Sequence, residues 1–522
     1  MAAVPDPKVS VVVPVYNPGS MIDDCIRSLL DQSLPPGEYE LVFVDDGSTD
    51  ATPARLDELA ARHDHVRVRR IPNSGWPGRP RNVGLEMARG DFVLFVDNDD
   101  WIEHEALERM HAMAVRDGAD IVIGKVVGHG KPVPPTLFAE NRSGVGLEWS
   151  PLVWLLTPHR LFRRSLLEQH GLRFPEGPRR LEDHVFVLAA LFRTSRVSVL
   201  ADYPCYHWML RDRQTNASAN EFDPAIYYRN LQEVLDIVDE HTEPGEFRDR
   251  LYARWYRGKV LSRVGGLLFF NREPQARRAR FEEIRRLTEQ RFRPELDAQL
   301  PFGLKLRSQL VRAGTVEQLE RLAELETQLE PRVTVAGCRL SGEAVELRLE
   351  ATVRDPARLL AFVATEKGAT WRPPPPLAQG LEASLDVAGA FDGNDAHVLL
   401  REAEGAEEFL VPSTVRTRLV PQGSAQREAS LALEIDARID AGSLGAGRPL
   451  RPGRYVLRVV MHVAGFRFSA PVTRGARAML LVLEIDARSR TRPARASWKQ
   501  RLAAWAPGFR RLVVRAKQTA RR

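Results

Sequence analysis

The chain has 522 residues, 43% hydrophobic and 28% charged, which suits two to four folded domains with real cores and excludes a disordered polymer. Its formal charge of +6 is unevenly placed: residues 488–522 hold twelve Lys and Arg and no Asp or Glu, so the remainder is net acidic and the positive charge belongs to a tail. Three dispersed cysteines, Cys25, Cys205 and Cys338, give neither zinc-ligand spacing nor a disulfide framework. No uncharged apolar run reaches the ~18 residues of a membrane span, and the N-terminus leads straight into a short strand rather than a signal-peptide core, so a cytoplasmic protein is expected.

From Val9 to about Val127, short β-branched runs alternate with helical periodicity, the pattern of βαβ units and a mainly parallel sheet. The runs are Val9–Val15, Glu40–Val44, Val66–Arg70, Phe92–Val96 and Asp120–Val127. Ile22, Ile26, Leu29 and Leu30 predict a covering helix from near Ser20. Thr49 and Asp50 supply an N-cap for a helix through about Arg62, and Pro80 opens another through Arg89. Residues 145–330 read mostly helical, in stretches such as Leu181–Leu191, Ile226–Val238, Phe247–Phe270 and Thr315–Leu329. Near Pro331 the pattern changes. Alternating segments such as Ala344–Val353, Leu431–Ile435 and Tyr455–Val463 predict an all-β sandwich, or two small ones, to about Leu483, with Arg372–Leu377 as a loop.

In open α/β sheets ligands bind beyond the carboxyl ends of the strands. The first run ends in Pro14-Val15-Tyr16-Asn17, the second in Val44-Asp45-Asp46-Gly47-Ser48-Thr49-Asp50, and the fourth in Val96-Asp97-Asn98-Asp99-Asp100. Several carboxylates thus share one rim. Their mutual repulsion favours a hard divalent cation, Mg²⁺ or Mn²⁺, bridging a diphosphate.

Taken with Asn73-x-Gly75 and Arg81-Asn82-x-Gly84, these motifs resemble family two glycosyltransferases of the GT-A fold over roughly residues 8–210, in the family's order and spacing. The resemblance implies that Pro14 and Asp46 line a nucleobase pocket, with Asp46 on a uracil edge and Asp45 supporting its loop; Tyr16, Asn73 and Asn98 belong to the same nucleotide-sugar set. Arg81, at a helix start, suits a diphosphate, since guanidinium binds phosphate oxygens bidentately. Asp97-Asn98-Asp99 resembles the family's Asp-x-Asp, with Asp99 ligating the metal and Asp97 near the ribose and the metal shell. Leu181-Glu182-Asp183-His184 resembles its Glu-Asp motif, making Asp183 the base that deprotonates the acceptor and Glu182 its neighbour. Downstream, Arg211 or Arg213 could reach the diphosphate or be surface charges. Either His207 completes the metal shell or it is a core histidine beside Trp208.

The implied chain is an inverting UDP-sugar transferase acting on a cell-surface polymer, teichoic-acid-type glycan or lipid-linked precursor; the alternative is an inactive glycan-binding scaffold on the same fold. Its expected organisation is a GT-A domain over 1–220, a helical extension and linker over 221–330, β-sandwich modules over 331–487 serving oligomerisation or glycan binding, and a basic tail over 488–522. The arrangement resembles some wall teichoic acid glycosyltransferases. Two readings of the tail stand together: a segment that lies on the anionic inner face of the plasma membrane, or a disordered basic extension. No module for nucleic acid accompanies its charge.

Overall fold

The computed structural model describes residues 6–210, 223–341, 344–365, 368–371, 373–374, 377, 394–422, 428–447, 449–474 and 479–485. The chain divides into two compact units, residues 1–300 with 307–319, and 301–306 with 320–522.

The first unit opens with β1 (Val9–Val15), α1 (Ile22–Leu30), β2 (Tyr39–Asp45), α2 (Thr52–Arg62), β3 (Val66–Arg70), α3 (Gly78–Met87) and β4 (Phe92–Phe95). All seven residues of β1 and of β2 are buried, as strands covered by helices on both faces require. Then come β5 (Trp101–Ile102), α4 (Ala106–Asp117), β6 (Ile121–His129), β7 (Arg142–Val145), β8 (Leu161–Arg163), α5 (Arg164–Gln169), α6 (Glu182–Phe192) and β9 (Val197–Met209). Among the described residues the strand order is β3-β2-β1-β4-β8-β6-β9-β5, with β7 on β9.

Strands β1 to β4 are mutually parallel where they pair, but β8 runs antiparallel between β4 and β6. The expectation that residues 145–330 are mostly helical is therefore corrected at β8 and β9. The first is three residues long, and the second, Val-Ser-Val-Leu-Ala-Asp-Tyr-Pro-Cys-Tyr-His-Trp-Met, carries Asp and Pro that mask its strand pattern. The register of β6 on β9 slips beside Pro204.

Helices follow: α7 (Pro224–His241), α8 (Glu246–Trp255), α9 (Gly266–Phe270), α10 (Pro274–Arg291), α11 (Phe302–Ala313) and α12 (Val316–Glu326). The apolar stretch Phe247–Phe270 is not one helix. After α8 it passes through a π-helical turn, Tyr256–Val260, and a 3₁₀ turn, Leu261–Val264. No helix among the described residues is long and apolar enough to cross a membrane.

The second unit is strand-rich: β10 (Glu330–Ser341), β11 (Ala344–Arg354), β12 (Phe362–Thr365), β13 (Gly368–Trp371), β14 (Asp395–Glu402), β15 (Glu408–Val411), β16 (Ser413–Gln422), β17 (Glu428–Asp440), β18 (Gly453–Val463), β19 (Phe466–Arg474), β20 (Met479–Leu480) and β21 (Val482–Ile485). They join in the order β13-β12-β17-β11-β10-β19-β18-β14-β15, with β16 on β17, β20 on β19 and β21 on β18. Alternation sorts the faces: Leu347, Leu349, Leu433 and Ile435 are buried, while outward-facing Arg348 and Glu346 pair with Asp436 and Arg438 across the ladder. Of the Arg372–Leu377 loop, Arg372, Pro375 and Pro376 lie outside the described residues.

Candidate active site

Strand β1 pairs with β2 on one side and β4 on the other, so the ends of three parallel strands and their polar extensions become neighbours. Asn17, in the left-handed region at φ 43°, reaches across to the β2 loop, where its Oδ1 accepts from Thr49 N at 2.8 Å. Asp45, 1% exposed, accepts from Ser48 N at 2.9 Å, bracing that loop. Gly47 at φ 75° would, with a Cβ, meet Asn73 N at 2.8 Å, so only glycine fits there. Asp46 is held at both oxygens by Ser74, from its backbone N at 2.9 Å and its hydroxyl at 2.8 Å; burial raises its pKa. Asn73 folds back to accept from Gly75 N, Pro14 is buried, and Tyr16 stands 50% exposed.

Helix α3 presents Arg81, 4% exposed. Its guanidinium lies 2.7 Å from Asp97 and 3.6 Å from Glu182, tying the Asp-x-Asp motif to the Glu-Asp motif. Two of its nitrogens, Nε and Nη1, are buried without a hydrogen-bond partner. Burial pushes the Asp97 carboxyl up, but Arg81 and His159 more than offset this and hold it well below the usual carboxylate range. Behind it Asp100 accepts from Tyr206 Oη at 2.7 Å and Met209 N at 2.8 Å, yet burial and then the charges of Asp97 and Asp99 raise its pKa. The buried thiol of Cys25 is raised by burial and by the same three carboxylates. The end of β4 thus clusters carboxylate oxygens, the ligand type a hard divalent cation takes. Ligand atoms of Asp97, Asp100 and His159 lie within 4.8 Å of one another and could hold one.

The motif residue Asn82 has a role of its own. In the structure its side chain pins the segment leading to α6: Oδ1 accepts from Phe174 N at 2.8 Å, and Nδ2 donates to Phe174 O at 2.9 Å. That segment ends at Leu181, whose φ of 64° is rare for a branched residue, and the turn starts α6 with Glu182 and Asp183. Asp183 Oδ1 accepts from His184 N at 2.8 Å. Burial, and then Glu182, push its pKa up to about 7, the range of a general base at neutral pH.

Arg81, Asp97, His159, Glu182, Asp183 and Lys259 share one cavity of about 1090 Å³, ample for two substrates. Its outer wall is basic, with Lys131, Arg180, Lys259, Arg263, Arg272 and Arg280. Burial, then Arg254 and Arg263, lower Lys259 to about 8. Of the expected set, the cavity gathers Arg81, Asp97, Glu182 and Asp183, while Pro14, Tyr16, Asp45, Asp46 and Asn73 lie at the ends of β1 and β2 and in the loops beyond. The Ser74 hydroxyl, which holds Asp46, lies 3.0 Å from the carbonyl oxygen of Trp76 on the cavity wall. Asn98 and Asp99 are half-buried beside Asp97.

Of the two readings of His207, the structure fits the packed histidine, though against Trp101 rather than Trp208. The His207 ring stacks on Trp101, with Nδ1 against His129 at 2.8 Å and Nε2 against Glu103 at 2.9 Å, so both nitrogens are engaged. The histidine beside Asp97 is His159, 3.1 Å away and stacked on Tyr206; a lone histidine in an irregular stretch gave no sequence signal. Arg211 and Arg213 lie outside the described residues. Arg254 and Arg257 lie over Trp154 and are not among the residues lining the cavity.

Residues 10–200 match the model of glycosyl transferase family 2, and residues 224–323 that of the glycosyl transferase TarS linker domain. The chain is 36% identical over 233 residues to a poly(ribitol-phosphate) beta-glucosyltransferase of Bacillus spizizenii, covering 44% of this chain and 37% of that protein. It is 37% identical over 263 residues to the poly(ribitol-phosphate) beta-N-acetylglucosaminyltransferase TarS of Staphylococcus aureus, 50% of this chain and 45% of that one. The chain therefore matches less than half the length of either relative. The crystal structure of S. aureus TarS 1–349 in complex with UDP-GlcNAc superposes with a TM-score of 0.54 at 26% identity, over 65% of this chain and 96% of that one. A crystal structure of S. aureus TarS shares the fold over 92% of this chain, with a TM-score of 0.56 at 20% identity.

Proposed function

We propose that this chain, whose residues 10–200 form a family 2 glycosyltransferase domain, transfers a sugar with inversion from a UDP-sugar to a hydroxyl of a phosphate-bearing cell-surface polymer or its lipid-linked precursor. The observation that carries this reading is the single cavity in which Arg81 and Asp97 face Glu182 and Asp183. Donor-side and acceptor-side motifs, far apart in sequence, meet there. The basic wall of Lys131, Arg180, Lys259 and Arg263 supports an anionic acceptor, and the relatives named for poly(ribitol-phosphate) make a teichoic-acid-type polymer the first substrate to try.

In this mechanism the loops after β1 and β2 hold the nucleotide, with Asp46 on the uracil edge, Asp45 bracing its loop, and Pro14, Tyr16, Asn73 and Asn98 around it. Asp183 takes the proton from the acceptor hydroxyl. That oxygen attacks the anomeric carbon, the bond from this carbon to the diphosphate oxygen breaks on the opposite face, and UDP leaves. Arg81, with two unsatisfied nitrogens, offers donors to the charge developing on the diphosphate. Glu182 orients Arg81 and borders the acceptor. Asp97 and Asp99 would hold a divalent cation, Mn²⁺ or Mg²⁺, which when bound neutralises diphosphate charge. Residues 1–220 and 221–330 carry the chemistry and the acceptor wall, residues 331–487 serve oligomerisation or glycan binding, and the tail from 488 approaches the membrane where a lipid-linked acceptor resides.

The test is UDP release from UDP-glucose and UDP-N-acetylglucosamine with poly(ribitol-phosphate), in Mn²⁺, Mg²⁺ or chelator. Metal-dependent turnover of one donor, lost in Asp99→Ala and Asp183→Asn, supports the assignment; turnover that survives both substitutions overturns it.

A further inference from the structure

His184 follows Asp183 on α6 and lines the same cavity, yet the residue is only 6% exposed. The indole Nε1–H of Trp255, at the end of α8, donates to its Nδ1 at 3.2 Å, both groups being buried. An indole N–H is a donor only, so Nδ1 must be the accepting nitrogen and the ring proton must sit on Nε2. Among the described residues no hydrogen bond engages Nε2. Nor is Nε2 one of the sealed polar atoms that lack a partner, and His184 is among the residues that line the cavity.

Burial, then the positive charges of Lys259, Arg254 and Arg160, keep this imidazole neutral, with its pKa well below the usual histidine value. A neutral, tautomer-locked N–H beside the general base differs in kind from the charged wall around it. Lys259 and Arg263 suit phosphate oxygens, whereas an uncharged donor on a largely buried side chain suits an uncharged hydroxyl.

On the transferase reading above, we propose that His184 donates through Nε2–H to a hydroxyl oxygen of the acceptor neighbouring the one Asp183 deprotonates, and that Trp255 is the positioning residue that fixes its tautomer. His184 then selects polyol acceptors carrying adjacent hydroxyls, while the basic wall selects phosphate. Trp255 belongs to the stretch matching the linker domain, so that stretch helps define the acceptor site through an indole.

Initial rates are measured for the unaltered chain, His184→Phe, His184→Gln and Trp255→Phe, with poly(ribitol-phosphate) and the UDP-sugar that the unaltered chain turns over. The proposal expects His184→Phe to lose about tenfold in kcat/KM for the acceptor, the worth of one hydrogen bond in a closed site, with the affinity for UDP within twofold. His184→Gln, which restores an N–H near the Nε2 position, recovers much of the loss. Trp255→Phe falls about threefold, and its ¹⁵N spectrum shows His184 moving from the Nε2–H form to a tautomer mixture. Acceptor kinetics within twofold of the unaltered chain in His184→Phe, or an Nδ1–H signature in the unaltered chain, overturn the proposal. If the Phe variant loses UDP binding through misfolding, the Gln variant and the spectrum decide. Absence of any transfer by the unaltered chain overturns the parent transferase reading, a result distinct from transfer that ignores His184.

Discussion

At the scale of single residues, the cavity balances two groups held away from their ordinary ionisation. On the proposed mechanism Asp183 must be deprotonated to accept a proton, and burial with Glu182 places its pKa at about 7, so kcat/KM should rise as pH increases through about 7. Lys259 must on the same reading be charged to meet an anionic acceptor, and its pKa of about 8 should make acceptor KM rise above that pH. A bell-shaped profile with limbs near those values is expected, and Asp183→Asn should remove the acid limb together with the activity. The linkage sign gives a second outcome. A carboxyl raised above its unfolded value holds its proton more tightly in the folded state, so stability is lost as pH rises from the ordinary carboxylate range to about 7 and the loss is complete above that. Asp183→Asn should therefore melt higher than the unaltered chain at pH 8, by about 2 °C or more, and calorimetry should show the gap narrowing below about pH 7 and closing only where the unfolded carboxyl is protonated too. Asp97 and Asp183 were legible because motifs fix their neighbours in sequence. Lys259, Arg263 and His159 were not, because isolated cations in helical or irregular stretches look like solvated surface until the fold turns them inward.

At the scale of elements, the run Val9–Val15 and the β3 run Val66–Arg70 were read to the residue because β-branched runs flanked by turn residues leave no other choice. β8 was lost for its three residues, and β9 because its Asp and Pro stand where the partner strand's register slips. The helix read as opening at Pro80 in fact begins at Gly78, whose missing side chain lets Pro175 O approach to 2.3 Å of where a Cβ would stand. Gly84, on the same helix, would place a Cβ 2.2 Å from Val12 Cγ1 in β1. Gly84→Val should therefore cost about 1–3 kcal/mol of stability by urea denaturation. Because α3 also carries Arg81, activity should fall further than that loss alone explains.

At the scale of the whole molecule, composition exposed a chain with an acidic body and a basic end, and the change of pattern near Pro331 located the passage from helices to strands within a residue of Glu330. Long, regularly alternating strands such as Ala344–Arg354 made that passage visible. The order in which the strands pair was not legible, since pairing joins residues far apart in sequence and leaves no periodic trace. The tail makes its prediction at this scale. With twelve cations and no anions in residues 488–522, the full chain should sediment with vesicles containing phosphatidylglycerol and not with phosphatidylcholine alone. The bound fraction should fall as salt rises, by the screening that governs charges near a surface. A chain ending at 487 should stay in the supernatant.

The π-helical turn at Tyr256–Val260 adds one residue to what would otherwise be a regular coil, and each residue of an α-helix advances the direction of those beyond it by about 100°. Lys259 lies inside that turn and Arg263 just after it. Losing a single residue here would rewind the turn and re-aim both cations without substituting any amino acid. On the proposed reading, the length of this turn, more than the identity of its residues, then sets where the basic wall meets the acceptor.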